Sequence, residues 1–473
     1  MVSEKFRQQL RQEVEQWRSQ GLIDDALYHR LSQRYELNSL DTAYRNRFIS
    51  ILLGLGSILL SLAVITFVAA NWQYWSRSLK VSLLLSLFAG INCAGFYFWR
   101  QRAQGWKVRL GQSLLLLGGL LLGANMALMS QMFHQSSPLY HLFLLWGLGV
   151  LLMAYSLRLT VLAMLGLILV ALGYVSSVVP SAFLYRWGEA SALQLAVQHL
   201  PLLASVLFVP LAYRCRSRWL FGGSLLLIVG SLETNLLFLS ARLFDASASS
   251  AELVAAIACT LPPAVLWAYR DAIWERSAPN PSFDAIARGM SIFFLSMLFY
   301  VLSFRGWWLG SPQPGDEAMP LQIWAALLDA FILGGFTLYA WWKLGVGNRA
   351  FWCLDRTSTV VGMAILVTGW LIWWHGRVEA LGAIAIFAFN ALLFLLAIGC
   401  VRESLGSGKR RGFWWGMVSI VLQLTSRMLE YNTDLLFKAI VLFFCGVAVI
   451  LAGLWFERYL LTLHSPAPIP DKE

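Results

Sequence analysis

LGQSLLLLGGLLLGANMALMSQMFHQSSPLYHLFLLWGLGVLLMAYSL, residues 110–157, sets two long apolar runs on either side of a short polar turn, HQSSP. Neither run contains a charged residue. A hydrocarbon core of ~30 Å takes ~20 helical residues at ~1.5 Å each, so the stretch reads as a transmembrane helical hairpin. Much of the rest of the chain repeats this unit.

Composition agrees. Of 473 residues, 58% are hydrophobic and 13% charged, against about 25% charged in a soluble globular protein. That excludes a water-soluble multidomain enzyme. The net charge of +11 would suggest nucleic acid in a soluble protein. Here its placement on alternate loops explains it, because Lys and Arg collect on the cytoplasmic side of membrane proteins. No nucleic-acid partner is expected. The six cysteines include no C-x-x-C pair, which removes the commonest thiolate metal site. They fall in spans or on the reducing side, so no disulfide is expected. The first forty residues are polar, which is not the pattern of a cleavable signal peptide.

Residues 1–40 read as a small soluble hairpin. Phe6, Leu10, Val14 and Trp17 recur at helical spacing, Gly21 ends that helix, and Asp24 is placed to cap a second one carrying Leu27, Leu31 and Tyr35. With so little core the hairpin either docks on the membrane domain or a protein partner, or is an inert cap. The membrane domain is expected over 48–456 and a cytoplasmic tail over 457–473. Apolar runs suggest fourteen spans: 48–70, 79–99, 110–133, 139–157, 159–179, 197–213, 219–240, 251–269, 289–304, 321–342, 358–375, 378–401, 412–430 and 434–456. Two are unusual: 197–213 carries Pro201 and Pro210, and 412–430 carries Arg427 and Glu430. With the N-terminus inside, 28 Lys and Arg fall on the inner side and eight on the outer. This asymmetry puts both termini in the cytoplasm. Tryptophan pairs at 72 and 75, 307–308, 341–342, 373–374 and 414–415 sit near span ends, where indoles prefer the headgroup region.

Three stretches together resemble a family of bacterial predicted membrane proteins, the domain of unknown function number 2157. They are VEQWRSQGLIDDALYHRLSQRYEL at 14–37; ANWQYW at 70–75 followed by SQMFH and LLWGL within the opening hairpin; and SRMLEYNTDLLFKAIVLFFCGVAVILAGLWFERYL at 426–460. The resemblance implies a polytopic membrane protein with a cytoplasmic N-terminal hairpin. It brings no activity, cofactor or catalytic residue.

Charges inside a span are costly, and each is a functional candidate. Glu233, in SLETN together with Asn235, lies roughly 10 Å from the outer end of its span, and Asp329, in LLDAF, roughly 12 Å from its own. Lys438 and Arg427 lie at similar depth, so the four could form one polar cluster, and one reading is an outward-facing vestibule in which Glu233 or Asp329 binds a cation or relays protons. The alternative is that Lys438 pairs with Asp434 one turn away and the acids merely staple helices. Pro201 and Pro210 interrupt one span and Pro262 and Pro263 break another, as in transporters whose broken helices bind ions. Gly119 and Gly123, and Gly412 and Gly416, form G-x-x-x-G pairs suited to close helix packing. His134 and His141 lack further ligands nearby, and no metal is expected there. His375 and Glu379 are an acid–imidazole pair in an outer turn with no nucleophile beside them.

The sequence thus reads as an all-α polytopic bundle. Transport or permeation of a small solute, ion or lipid is the first function expected. The alternatives are a non-catalytic scaffold or assembly factor recruiting a partner through residues 1–40, and a membrane-embedded enzyme acting on a lipid-linked substrate.

Overall fold

The polar start of the chain and its apolar continuation meet inside one helix. A computed structural model describes residues 10, 13–14, 16–34, 39–71, 76–101, 105–134, 137–178, 192–245, 250–271, 283–309, 323–346, 354–378, 381–408, 410–430 and 434–464. Every regular element among them is helical. Gly21 has φ +70°, and Leu22 N–H donates back to the Trp17 carbonyl at 2.9 Å. This left-handed residue ends the first helical stretch. Asp24 Oδ1 then accepts from Leu27 N–H at 2.8 Å and caps α1 (Asp25–Arg34). Helix α2 (Ser39–Asn71) runs without a break from DTAYRNR into ILLGLGSILL. The stretch between residues 40 and 48, expected as a boundary, is therefore helical. Tyr35 lies outside the described residues, as do Trp72, Trp75 and Glu379.

The chain forms two compact units, Met1–Arg186 and Trp187–Glu473. In the first, α3 (Arg77–Arg100) lies along α4 (Gly105–Met132), and α5 (Leu139–Leu157) lies along α6 (Thr160–Val178). Helix α4 also meets α2, α5 and α6 and carries the buried Leu115, Leu117 and Leu121. The opening hairpin of the sequence is thus the centre of this unit. Gly119 and Gly123 face α5 and α6. A Cβ on Gly119 would lie 3.2 Å from Leu162 Cδ2, and one on Gly123 would overlap the Trp146 ring. That ring lies flat against the bare backbone and donates Nε1–H to the Gly119 carbonyl at 2.7 Å.

The second unit begins with α7 (Ala192–Gln198) and α8 (Leu200–Cys215), followed by α9 (Arg218–Asp245) and α10 (Ala251–Ala268). Then come α11 (Asp284–Leu302), the single turn α12 (Gly306–Leu309), α13 (Ile323–Val346), α14 (Arg356–Arg377), α15 (Gly382–Ser407), α16 (Arg410–Glu430) and α17 (Leu435–His464). Helix α10 is the axis, packed by α9, α11, α13 and α14. One apolar layer joins Leu232, Leu236 and Leu239 of α9 to Val254, Ala258 and Leu261 of α10 and Ala326 and Leu333 of α13. Another joins Trp267, Leu295, Phe299, Leu371 and Phe389. Helix α17 lies on the edge against α16, its Phe456 stacked on Phe413 at 4.1 Å. It runs on to His464, so the first part of the expected tail is helical.

Three expectations need correction. Fourteen spans are not reached: among the described residues eleven helices are long and apolar enough to cross a membrane, and twelve if α7 and α8 count as one. The expected span 48–70 is helical, but its described apolar stretch is Ile51–Val64. Helix α16 falls short on composition, and its Ser419, Gln423, Ser426 and Arg427 are buried against partner helices. Pro262 and Pro263 do not break α10, which is one continuous helix through both. Helix α10 is packed there by four neighbours, and Ser291 Oγ donates to the Pro263 carbonyl at 2.9 Å. Pro210 likewise lies inside α8, whereas Pro201 sits in its first turn, where no intrahelical N–H is needed.

Gly123→Ala should lower stability by about 1–3 kcal/mol, because Trp146 must leave its place. Thermal melting in detergent checks this against Gly54→Ala, whose Cβ meets nothing within 4 Å. Equal midpoints for the two variants would contradict the contact.

Candidate functional site at a bent helix

Leu200 and Pro201 begin α8, and the chain turns sharply just before them. Helices α7 and α8 meet at 81° across one residue, His199, whose φ −94° and ψ 23° are not helical. A bend at membrane depth leaves polar backbone that must be satisfied by protein. Asn235 Nδ2 of α9 donates to the carbonyl of Gln198, the last residue of α7, at 3.0 Å. Gln198 and Asn235 are both buried. His199 Nδ1 bonds Asp329 Oδ1 of α13 at 2.7 Å. The Asp329 side chain is 1% exposed and that of His199 22%. Asp329 Oδ2 is buried and has no hydrogen-bond partner among the described residues. One carboxyl oxygen is therefore held by an imidazole, and the other faces the interior unbonded.

Glu233, two residues from Asn235, projects elsewhere on α9. It is partly buried, and its Oε2 has no partner among the described residues. Glu233, Asn235 and Asp329 thus belong to the α9–α10–α13 layer and its junction with the bent pair.

Arg427 is committed to a different node. Its Nη1 donates to the Ser303 carbonyl just past the end of α11 at 2.7 Å, and it forms an ion pair with Glu430. Its guanidinium stands 4.1 Å from the centroid of the Phe304 ring. Glu430 Oε1 accepts from Arg305 N–H at 2.7 Å. A cation at a helix C-terminus satisfies the orphan carbonyls and the negative dipole end. Gln423 Nε2 reaches Asn390 O at 2.8 Å, and Asn390 Nδ2 reaches Ser303 O at 3.4 Å. Lys438 is partly buried on α17, and among the described residues it forms no ion pair with Asp434. No hydrogen bond or ion pair among the described residues joins Glu233, Asp329, Arg427 and Lys438 to one another. Glu233 and Asp329 lie on helices that pack together, α9 and α13, whereas Arg427 meets the end of α11.

The other end of α11 has its own anchor. Tyr213 OH donates to Asp271 Oδ1 at 2.6 Å and bonds Tyr269 OH at 2.7 Å. Asp271 Oδ2 accepts from Phe283 N–H at 2.8 Å, where α11 begins. Phe221 stacks on Phe283 at 4.6 Å beside it. At the α15–α16 turn, a Cβ on Gly412 would overlap Ser404 Oγ, and one on Gly416 would lie 2.7 Å from the Ala397 carbonyl. His375 packs edge-on against Trp308 at 4.7 Å. Among the described residues no three His, Cys, Asp or Glu side chains converge as a metal site.

Sequence reasoning missed His199, Gln198, the Tyr213–Tyr269–Asp271 network, and the partners of Arg427. A signal existed for two of these. His199 immediately precedes Leu200-Pro201, a place where a helix readily starts anew. Ser419, Gln423, Ser426, Arg427 and Glu430 form a polar stripe at helical spacing.

A family model described as predicted membrane protein (DUF2157) matches residues 15–163. The match takes in most of the N-terminal hairpin, ANWQYW, SQMFH and LLWGL. Residues 426–460 lie outside it. No curated protein and no solved structure matches the chain.

His199→Ala should cost about 3–5 kcal/mol, because it strands a buried carboxyl. Adding Asp329→Leu should recover much of that loss. Unfolding of the two variants in detergent checks it, and no recovery in the double variant would show that the pair is not coupled.

Proposed function

We propose that the second unit of this membrane protein moves a small solute, ion or lipid across the bilayer, and that a proton or small cation is what His199 and Asp329 handle. One observation carries the reading: an acid at a bent helix inside the bundle, bonded to an imidazole through one oxygen and unbonded at the other. An ionisable residue in a span is costly to keep and marks an ion or proton path by default. Transporters place such groups at discontinuous helices, where backbone carbonyls leave the helical ladder. The Asp329–His199 hydrogen bond is ionic or neutral according to which partner holds the proton. A proton or cation reaching Oδ2 would therefore change the charge that His199 faces. Glu233, with an unbonded oxygen on the adjoining helix, is the second group on this path. The bias of Lys and Arg supports an orientation with both termini in the cytoplasm of a bacterial inner membrane.

The second reading is a scaffold in which residues 1–40 recruit a protein. What favours it is the family match, which spans most of the hairpin and stops before Glu233 and Asp329.

Proteoliposomes holding a pH-sensitive dye and carrying an imposed cation gradient separate the two. Asp329→Asn and His199→Gln should each lower flux about tenfold or more, while deletion of residues 1–40 leaves it unchanged. Flux no greater than in protein-free liposomes, or equal flux in the variants, would sink transport and leave the scaffold.

A further inference from the structure

Arg427 is 9% exposed, and only part of its guanidinium is used. Nη1 donates to the Ser303 carbonyl and pairs with Glu430, and Phe304 stands over the group at 4.1 Å. Nε and Nη2 are buried and have no hydrogen-bond partner among the described residues. Those two N–H groups form the edge of a guanidinium that meets two oxygens of one oxyanion side by side. A buried donor on a charged group is costly to leave unbonded. The charges of the node also favour an anion. Arg427 and the exposed Arg305 stand against Glu430 alone, whose Oε1 accepts from the Arg305 N–H at 2.7 Å.

The same three helices, α11, α15 and α16, leave a narrow hollow of about 70 Å³ lined by Met297, Tyr300, Leu393, Val418, Ser419 and Leu422. Tyr300 stands three residues before Ser303, Leu393 three after Asn390 and Ser419 four before Gln423. The hollow therefore follows the seam that ends at the Arg427 node. Phe293 and Trp415 line it as well, and they also line a wider cavity of about 560 Å³. Met297, Val418 and Leu422 are each at least half exposed, so the hollow is open on its bilayer side. From Arg427 to Trp415 the helix rises roughly 18 Å, close to half of a ~30 Å hydrocarbon core.

We propose that this seam binds one long-chain fatty acid, with its carboxylate on the Nε and Nη2 edge of Arg427 and its chain in the hollow. Burial of the edge selects the head. A carboxylate ends in its two oxygens and can be enclosed, whereas the phosphodiester of a membrane lipid carries a further headgroup that must reach water. The narrowness of the hollow selects a single chain, which lies along Leu422, Val418 and Met297 with its other flank against the bilayer. The carboxylate balances Arg427 and Arg305 against Glu430. The seam lies apart from the His199–Asp329 pair and does not depend on the transport reading.

Equilibrium binding of tritiated palmitate to the intact chain in detergent tests it, with hexadecanol and dioleoyl phosphatidic acid as competitors. The wild type should bind palmitate saturably, and neither competitor should displace it at equal concentration. Arg427→Lys keeps a cation for Glu430 and Ser303 but removes the two-pronged edge. It should weaken palmitate binding about tenfold, the equivalent of about 1.4 kcal/mol. Met297→Trp fills the hollow away from the node and should also weaken binding, which covers the case of a poorly folded lysine variant. Absence of saturable binding would mean that the edge holds water only. Displacement by hexadecanol would mean that hydrocarbon alone is recognised, and displacement by phosphatidic acid that a phosphate is. Each of these results, or variants that match the wild type, would overturn the proposal.

Discussion

Hydrocarbon offers no hydrogen-bond partner, so every polar group that leaves the helical ladder must find one in the protein. That constraint accounts for the nodes of the second unit. Where α7 and α8 bend at 81°, Asn235 takes the Gln198 carbonyl and Asp329 takes the His199 ring. Where α11 ends, Arg427 takes the Ser303 carbonyl and Glu430 takes the Arg305 N–H. Where α11 begins, Asp271 takes the Phe283 N–H and the Tyr213 hydroxyl. At each node a helix end or bend is served by a side chain 12 to 130 residues away in the chain. Removing one partner strands the other in a dry place, where the cost is that of desolvation as well as of the lost bond.

The same constraint sorts the charged residues by use. Arg427 and Asp271 each bind backbone at one end of α11 and a side chain as well, Glu430 and Tyr213 respectively, which makes them anchors. Asp329 and Arg427 both keep buried polar atoms without a partner among the described residues, Oδ2 of the first and Nε and Nη2 of the second, but of the two only Asp329 lies beside the bent helix. A group held in that state is either a retained cost or a site that something else completes. The bent helix beside it favours the second, and this is why Asp329 carries the functional proposal while Arg427 does not.

Between the polar nodes, the packing is made by small residues and by proline held in place. Trp146 lies on the bare backbone of Gly119 and Gly123, and α15 and α16 approach at Gly412 and Gly416. Without a hydrophobic drive between helices in lipid, such close contact is a main source of association energy. Helix α10 keeps its course through Pro262 and Pro263 because neighbours on four helices hold it. Proline weakens a helix locally, and the surrounding packing decides whether it bends.

Apolar runs of bilayer length, the absence of charge within them and the cap residues at Gly21 and Asp24 are local properties, and the sequence by itself determined them. Length and hydrophobicity act through the solvent, and a capping residue acts within four residues, so neither needs knowledge of the fold. Reading the span count was harder, because α16 hides its polar stripe inside the bundle and hydropathy alone cannot tell an inward polar face from an outward one. Only the tertiary structure decided which charge meets which. Asp329 and His199 stand 130 residues apart in the chain, and Arg427 and Ser303 stand 124 apart. Similar depth put Glu233, Asp329, Arg427 and Lys438 at one level of the membrane, but the rotation of each helix about its axis sent them toward different neighbours. That rotation is set by packing against other helices, which no single span encodes.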